Sequence, residues 1–317
     1  MYKINKILFT IIISGMFYSC EKEVVLNFEE EEQSLAIFSL FSPNDVFNQN
    51  FDVEVSTTQS ILDNSDFEFL ENANVTITSE LIGATEEPIS EKLSFTKLNN
   101  KIVYRTDNTL PKDGYTYMLT VENDGYPTVR AWSHVPAITE IQDLELSEFK
   151  KTKQNQLPGN TRYFSNATFK INNKLNIQNH YHLLVWLRFP NGWRSVYIED
   201  DLLQEQLGAK ATIINAESSL VFFGAHFDDD NFEDQIQTLN FDIAFSLSES
   251  DFPNEIKFEL RSVSQDYHNY FVEGYRSSKA GNNPFFVASD NISNNIENGY
   301  GVFAGYATND VIVPFRK

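Results

Sequence analysis

Cysteine is nearly missing from this chain: among 317 residues there is one, Cys20. No internal disulfide can form, and stability has to come from burial. No apolar run reaches the roughly twenty residues that a spanning helix needs. Basic side chains are the minority, 24 against 45 acidic, for a net charge of −21. A field of that sign repels nucleic acid and anionic lipid surfaces alike, so no nucleic-acid partner is expected. Catalytic signatures are lacking as well: the chain has no Gly-x-Ser-x-Gly elbow, no P-loop and no His-Glu-x-x-His. The expectation is a protein that is not an enzyme.

What is present starts with a basic head (Lys3, Lys6), a short apolar core (Ile7 to Ile13) and small residues before Cys20. That is the layout of a secretory signal peptide. A lone cysteine directly behind such a leader is what bacterial lipoprotein processing uses, because the thiol takes diacylglycerol and the freed amine takes a third chain. Two or more chains anchor a protein stably where one would not. Phe17-Tyr18-Ser19 lacks the leucine usual three residues before the cysteine, and a plain signal peptide that leaves Cys20 a free thiol is the competing reading. Glu21, Lys22 and Glu23 follow at once, then Glu29 to Glu32. An acidic patch there resembles the export signal of Bacteroidota surface lipoproteins and also serves as a solvated tether. The expected location is the outer membrane, lipid-anchored and facing the cell exterior.

Phe (27) and Tyr (14) are abundant while Met (3) is rare, which favours strands over helices. Seven short segments, Ser34 to Phe41, Phe51 to Ser56, Asn74 to Thr78, Leu93 to Phe95, Ile102 to Arg105, Tyr115 to Val121 and Thr128 to Trp132, alternate apolar and polar residues between turn signals. They predict an immunoglobulin-like β-sandwich. After Val135-Pro136-Ala137 the strands lengthen: Tyr163 to Ile171, His180 to Phe189, Leu239 to Leu247 and Ile256 to Leu260 are period-two stripes. Asn191-Gly192 is a hairpin signal before a strand at Arg194 to Ile198. Ser264-Gln265-Asp266 caps one amphipathic helix, in which Tyr267, Tyr270, Phe271 and Tyr275 recur at helical spacing. Tyr300 to Tyr306 and Val311 to Phe315 close the chain. The organisation expected is a leader (1–19), an acidic tether (20–33), an immunoglobulin-like β-sandwich (34–135) and a larger β-rich domain (136–317), an all-β protein with one helix.

Two groups of residues carry metal-binding chemistry. His180 and His182 project from one face of a strand, a spacing suited to zinc or copper once a third ligand joins from His134, His226 or His268. Hydrogen-bonded sheet histidines are the competing reading. The run Asp228, Asp229, Asp230, Asn231 and Glu233 offers the oxygen donors that Ca2+ favours, without the alternation and central glycine of an EF-hand loop. A solvated acidic loop competes with it. Trp186, Trp193 and Tyr197 near the hairpin are suited to stacking on sugars, or to core packing.

The succession of Glu71-Asn-Ala-Asn-Val75-Thr-Ile77, Asp113-Gly114-Tyr-Thr-Tyr117-Met-Leu119, Ser264-Gln-Asp-Tyr267 and Asn294-Asn-Ile-Glu-Asn-Gly-Tyr-Gly301-Val-Phe303-Ala-Gly305-Tyr306 resembles a Bacteroidota lipoprotein family, domain of unknown function 4249. The family's opening strand usually leads to a glycine, and Phe38 to Ser42 has none. The resemblance implies a two-part β-rich lipoprotein in the setting of TonB-dependent outer-membrane transporters, with a β-barrel as partner and no established activity. Two alternatives stand beside it: a surface substrate-binding protein for a glycan, peptide or metal chelate, and a subunit of outer-membrane protein assembly or export machinery.

Overall fold

The computed structural model describes residues 33–45, 49–58, 69–81, 88–98, 101–153, 160–174, 177–199, 203, 206–207, 212–214, 223–232, 234–248, 252–281 and 292–316. Cys20, Glu21, Lys22, Glu23, the acidic residues 29–32 and Glu233 lie outside the described residues. Eight strands come first: β1 (Leu35–Phe41), β2 (Asp52–Thr57), β3 (Asn74–Leu81), β4 (Ile89–Lys92), β5 (Ser94–Leu98), β6 (Lys101–Arg105), β7 (Tyr115–Glu122) and β8 (Val129–His134). Next are β9 (Ile141–Leu146), β10 (Lys150–Lys153), β11 (Asn160–Asn172), β12 (His180–Phe189), β13 (Gly192–Ser195), β14 (Tyr197–Glu199) and β15 (Thr212–Ile214). The chain closes with β16 (Gly224–Asp228), β17 (Ile236–Ser248), β18 (Glu255–Val263), helix α1 (Gln265–Gly281), β19 (Ile296–Glu297) and β20 (Tyr300–Pro314). The protein is all-β with one amphipathic helix, as its aromatic and β-branched composition implies.

A ten-stranded sheet runs in the order β15-β16-β12-β18-β20-β1-β2-β6-β5, with β13 paired to β12. Two five-stranded sheets face it. The first, β19-β8-β7-β3-β4, closes a sandwich over β1 and β2. Leu35, Ile37, Val53 and Val55 there pack against Val75, Ile77, Leu119 and Val121 in one core. Strands β1, β2 and β3 show the alternating burial expected of half-buried strands. The second sheet, β10-β11-β17-β14 with β9 on β11, covers the opposite part of the long sheet. Its β11 and β17 pair over their full length, Asn160↔Ser248 to Asn172↔Ile236. Their stripes Ala167, Phe169, Phe241 and Ile243 meet Leu183, Val185, Phe258 and Leu260 in a second core.

Strand β20 belongs to both sandwiches. Its first half pairs in parallel with β1, Ala36↔Tyr300 to Phe41↔Gly305, and its second half pairs antiparallel with β18. Phe303 and Ala307 on its odd face join the first core, and Val311 and Val313 on the same face pack on the second. The even residues Val302, Ala304 and Tyr306 face α1, with Val263, Tyr267 and Phe271. Two segments expected from hydropathy are therefore one strand. Thr308-Asn309-Asp310 reads as a break, but Thr308 is held in place by Asn44, whose Oδ1 accepts its N–H and whose Nδ2 donates to its carbonyl. A second departure is at Val196. The strand expected over Arg194 to Ile198 is split, because the chain leaves the long sheet after Ser195 and joins β17 at Tyr197, with Val196 buried in the core between them.

The glycines and asparagines of the closing motif are explained by close approach. Gly301 has φ +117°, and a Cβ there would fall on the Ile37 carbonyl; at Gly305 it would fall on the carbonyl of His134. Asn298 turns the chain with φ 59°, a left-handed conformation that asparagine tolerates. Asn295 acts as a surrogate strand neighbour: its Oδ1 accepts the Phe303 N–H at 3.0 Å and its Nδ2 donates to the Phe303 carbonyl at 2.8 Å. Among the described residues no helix is long and apolar enough to cross a membrane.

Gly301→Ala should cost roughly 3 kcal/mol or more, since overlap and backbone strain act together. Gly125→Ala, where φ is +88° and nothing lies within 4 Å of the added Cβ, should cost only about 1–2 kcal/mol. Urea unfolding of both variants checks this; equal midpoints would rule out a steric role for Gly301.

Candidate functional site beneath helix α1

The face of the long sheet turned away from the second core carries the polar chemistry. Period-two alternation places Tyr181, Leu183, Val185, Leu187 and Phe189 of β12 in that core and leaves His180, His182, Leu184 and Trp186 on the other side. Helix α1 lies across this face. Ser264 caps it, its Oγ accepting the Tyr267 N–H at 3.3 Å, and the first turn delivers Tyr267 and His268 onto the sheet.

His182 is fully committed. Its Nε2 donates to the Phe223 carbonyl at 2.7 Å, and its Nδ1 accepts from the Tyr267 hydroxyl at 3.0 Å. Gly224 is bare because a Cβ there would lie 2.6 Å from His182 Nε2. Burial, reinforced by the nearby Arg261 charge, pulls the His182 pKa down to about 3. It is a neutral link in a chain that continues through Tyr267 to Arg261, whose Nη1 donates to the hydroxyl at 3.2 Å.

Arg261 and Glu259 form the centre of this chain. Glu259 is 4% exposed, and its two oxygens accept from Arg261 Nε at 2.7 Å, Lys257 Nζ at 2.7 Å and Trp186 Nε1 at 3.0 Å. Burial alone would raise its pKa, but Arg261 and Lys257 overcome that and hold it down at about 2. Arg261 also reaches Asp45, 3.7 Å away in the segment after β1, and its guanidinium lies over the Tyr306 ring at 4.7 Å. Tyr306 donates its hydroxyl hydrogen bond to the same Asp45. The network thus ties the first sandwich, through Asp45, to β18 and α1. Its charged members escaped the sequence reading because Lys257, Glu259 and Arg261 alternate with Ile256, Phe258 and Leu260, which looks like an ordinary solvent face. The signal was the strict alternation of opposite charges at i, i+2.

Of the other histidines, His180, His226 and His268 gather at the end of β12, and His134 lies at the end of β8. His182 and His226 stack with ring centroids 3.8 Å apart, and His180 stacks on His268 at 4.8 Å. His180 pairs with Asp228 across β12 and β16, so both side chains lie on the helix side. Ligand atoms of His180, Asp228 and His268 all lie within 4.8 Å of one another. Of the two strand histidines singled out by spacing, His180 enters this group and His182 does not.

The rest of the acidic run has other uses. Asp229 accepts from Asn173 Nδ2 at 3.0 Å, from the Asn179 N–H at 3.0 Å and from Asn179 Nδ2 at 2.7 Å, pinning the chain before β12. Asp230 accepts from Gln178 at 3.0 Å, and Asn231 donates to the Leu207 carbonyl at 2.6 Å. The described carboxylates do not converge on one oxygen cage. In the aromatic hairpin, Lys257 lies over Trp186 at 5.8 Å and over Trp193 at 5.5 Å, with Arg188 over Trp193 at 5.5 Å.

Two sandwiches sharing a strand, with a helix clamped over a buried ion network, define a β-rich architecture. The chain belongs to the DUF4249 family, a domain of unknown function, whose model matches residues 21–311. No curated protein matches the chain. Among solved structures, one of a chaperone–tip adhesin complex of CFA/I fimbriae is similar at 10% identity over 74% of this chain and 84% of that chain, with a TM-score of 0.22.

Because the folded-state pKa of Glu259 lies below its ordinary 4.5, its contribution is complete above pH 4.5 and is lost as the pH falls toward about 2. Chemical denaturation across that window should show wild-type stability falling more steeply than that of Glu259→Gln; parallel curves would exclude the network as a source of acid sensitivity. Glu259→Ala, which leaves Arg261 short of its main partner, should cost about 3–5 kcal/mol at neutral pH.

Proposed function

We propose that this protein is a non-enzymatic lipoprotein of the outer-membrane surface that serves as an accessory to an outer-membrane β-barrel, a TonB-dependent transporter. One observation supports the reading: the family match begins at Glu21, directly behind the Cys20 at which a leader would be removed. Lipid on Cys20 confines the molecule to the membrane plane. The segment from Cys20 to β1 spans at most about 50 Å when extended, which sets the reach. Within that shell, confinement raises the effective concentration of the partner, and weak contacts between the sheets and the barrel's extracellular loops suffice. The acidic surface keeps the body off anionic headgroups.

The test combines metabolic lipid labelling with protease shaving of intact cells, comparing wild type with Cys20→Ala. Wild type should be labelled and cleaved, and the variant unlabelled and mislocalised. Gentle detergent extraction of wild type should also recover a β-barrel. A labelled protein that stays protected in intact cells would place it on the periplasmic side, and extraction without a barrel under several mild conditions would remove the accessory role. A depletion defect confined to one nutrient fits a transporter partner, whereas a general envelope defect points to assembly machinery.

A further inference from the structure

We propose that His180, Asp228 and His268 form a binding site for a divalent first-row transition ion of the zinc type, closed by the first turn of α1 over the end of β12. Three elements deliver the three groups: β12 the first imidazole, β16 the carboxylate, and α1 the second imidazole. Both imidazoles are more than nine-tenths buried, at 7% and 8% exposure, and the Nδ1 of each has no hydrogen-bond partner among the described residues. A buried polar nitrogen left without a partner is costly. Two such nitrogens on stacked rings call for a common explanation, and a shared cation supplies it.

The donor set selects the metal. Two nitrogens and one carboxylate are poor for calcium, which wants six to eight oxygens, and are ordinary for zinc, with a fourth position left to water. Tetrahedral zinc holds its ligand atoms about 3.3 Å apart. The present ligand atoms all lie within 4.8 Å of one another, somewhat wider than that spacing. Asp228 has an oxygen to give: its Oδ1 accepts the Asp230 N–H at 3.2 Å, which leaves Oδ2 for the metal. The local field favours a cation. Asp229 and Asp230 directly follow Asp228 in the chain, so the charges adjoining the ligand group are negative.

The site is independent of the membrane role, and its test is a binding measurement on the detergent-solubilised full chain. After chelator treatment and dialysis, wild type should take up one Zn2+ per chain by elemental analysis. Co2+ in its place should give the visible absorption of a four-coordinate nitrogen and oxygen site. His268→Gln and Asp228→Asn should each weaken Zn2+ binding by at least about tenfold, the loss that even an outer-shell partner causes. Should His268→Gln fail to fold, Asp228→Asn carries the comparison, because Asp228 is only half-buried and the change is isosteric. Wild type without stoichiometric Zn2+, or folded variants with wild-type affinity, would overturn the site.

Discussion

The parallel ladder between β1 and the first half of β20 is the contact on which the rest of the molecule depends. It joins the first described strand to the last and lets one strand present its odd face to two cores in turn. Phe303, wholly buried, lies against Phe41 at 4.8 Å between ring centroids, and burial of one such side chain contributes about 1.5–3 kcal/mol. The even face is taken by α1, so residues 302–308 are buried on both sides. Glycines at 301 and 305 are the condition for this crowding, since β1 and the end of β8 approach to distances at which no Cβ fits.

The buried charges serve geometry more than net stability. Replacing a buried ion pair with apolar groups is often neutral, while removing one partner is costly. Arg261 has partners on three separate segments: Glu259 on its own strand, Tyr267 on the helix and Asp45 beyond β1. An apolar isostere would fill the same space without specifying which helix face meets which strand. The network therefore sets how α1 lies on the sheet, and with it the position of His268 over His180.

Much of this architecture was legible because strands that pack on one side write their burial as alternation. Which residues of β12 share a face followed from period two, although His180 to Val185 are buried on both sides, and the capped helix followed from Ser264 and the helical spacing of its aromatics. The rule fails where its premise fails. Strand β20 is covered on both sides over half its length, so its sequence shows no alternation there, and its polar Thr308-Asn309-Asp310 reads as a gap. The pair of strands around Val196 reads as one because a crossing between sheets keeps the same inward residue. In the polar site, His180 and His182 were visible as a pair, but spacing alone says nothing about what lies above them. That Tyr267 claims one ring and His268 stacks on the other depends on how α1 is docked, which is long-range information. Lys257, Glu259 and Arg261 were hidden for the opposite reason, since charges on a half-buried strand are ordinarily solvated.

The position of β20 has a consequence in time as well as in space. A ribosome delivers β1 more than 250 residues before β20, the last described strand. Until that last segment arrives, one edge of β1 and one edge of β18 have no ladder partner, and the apolar faces beneath them are open. Non-local pairing of this kind makes folding slow, and unpaired edges meanwhile invite pairing with other chains. The chain stays adhesive until its final strand is in place, so its passage to a finished state depends on whatever shields those two edges while it is incomplete.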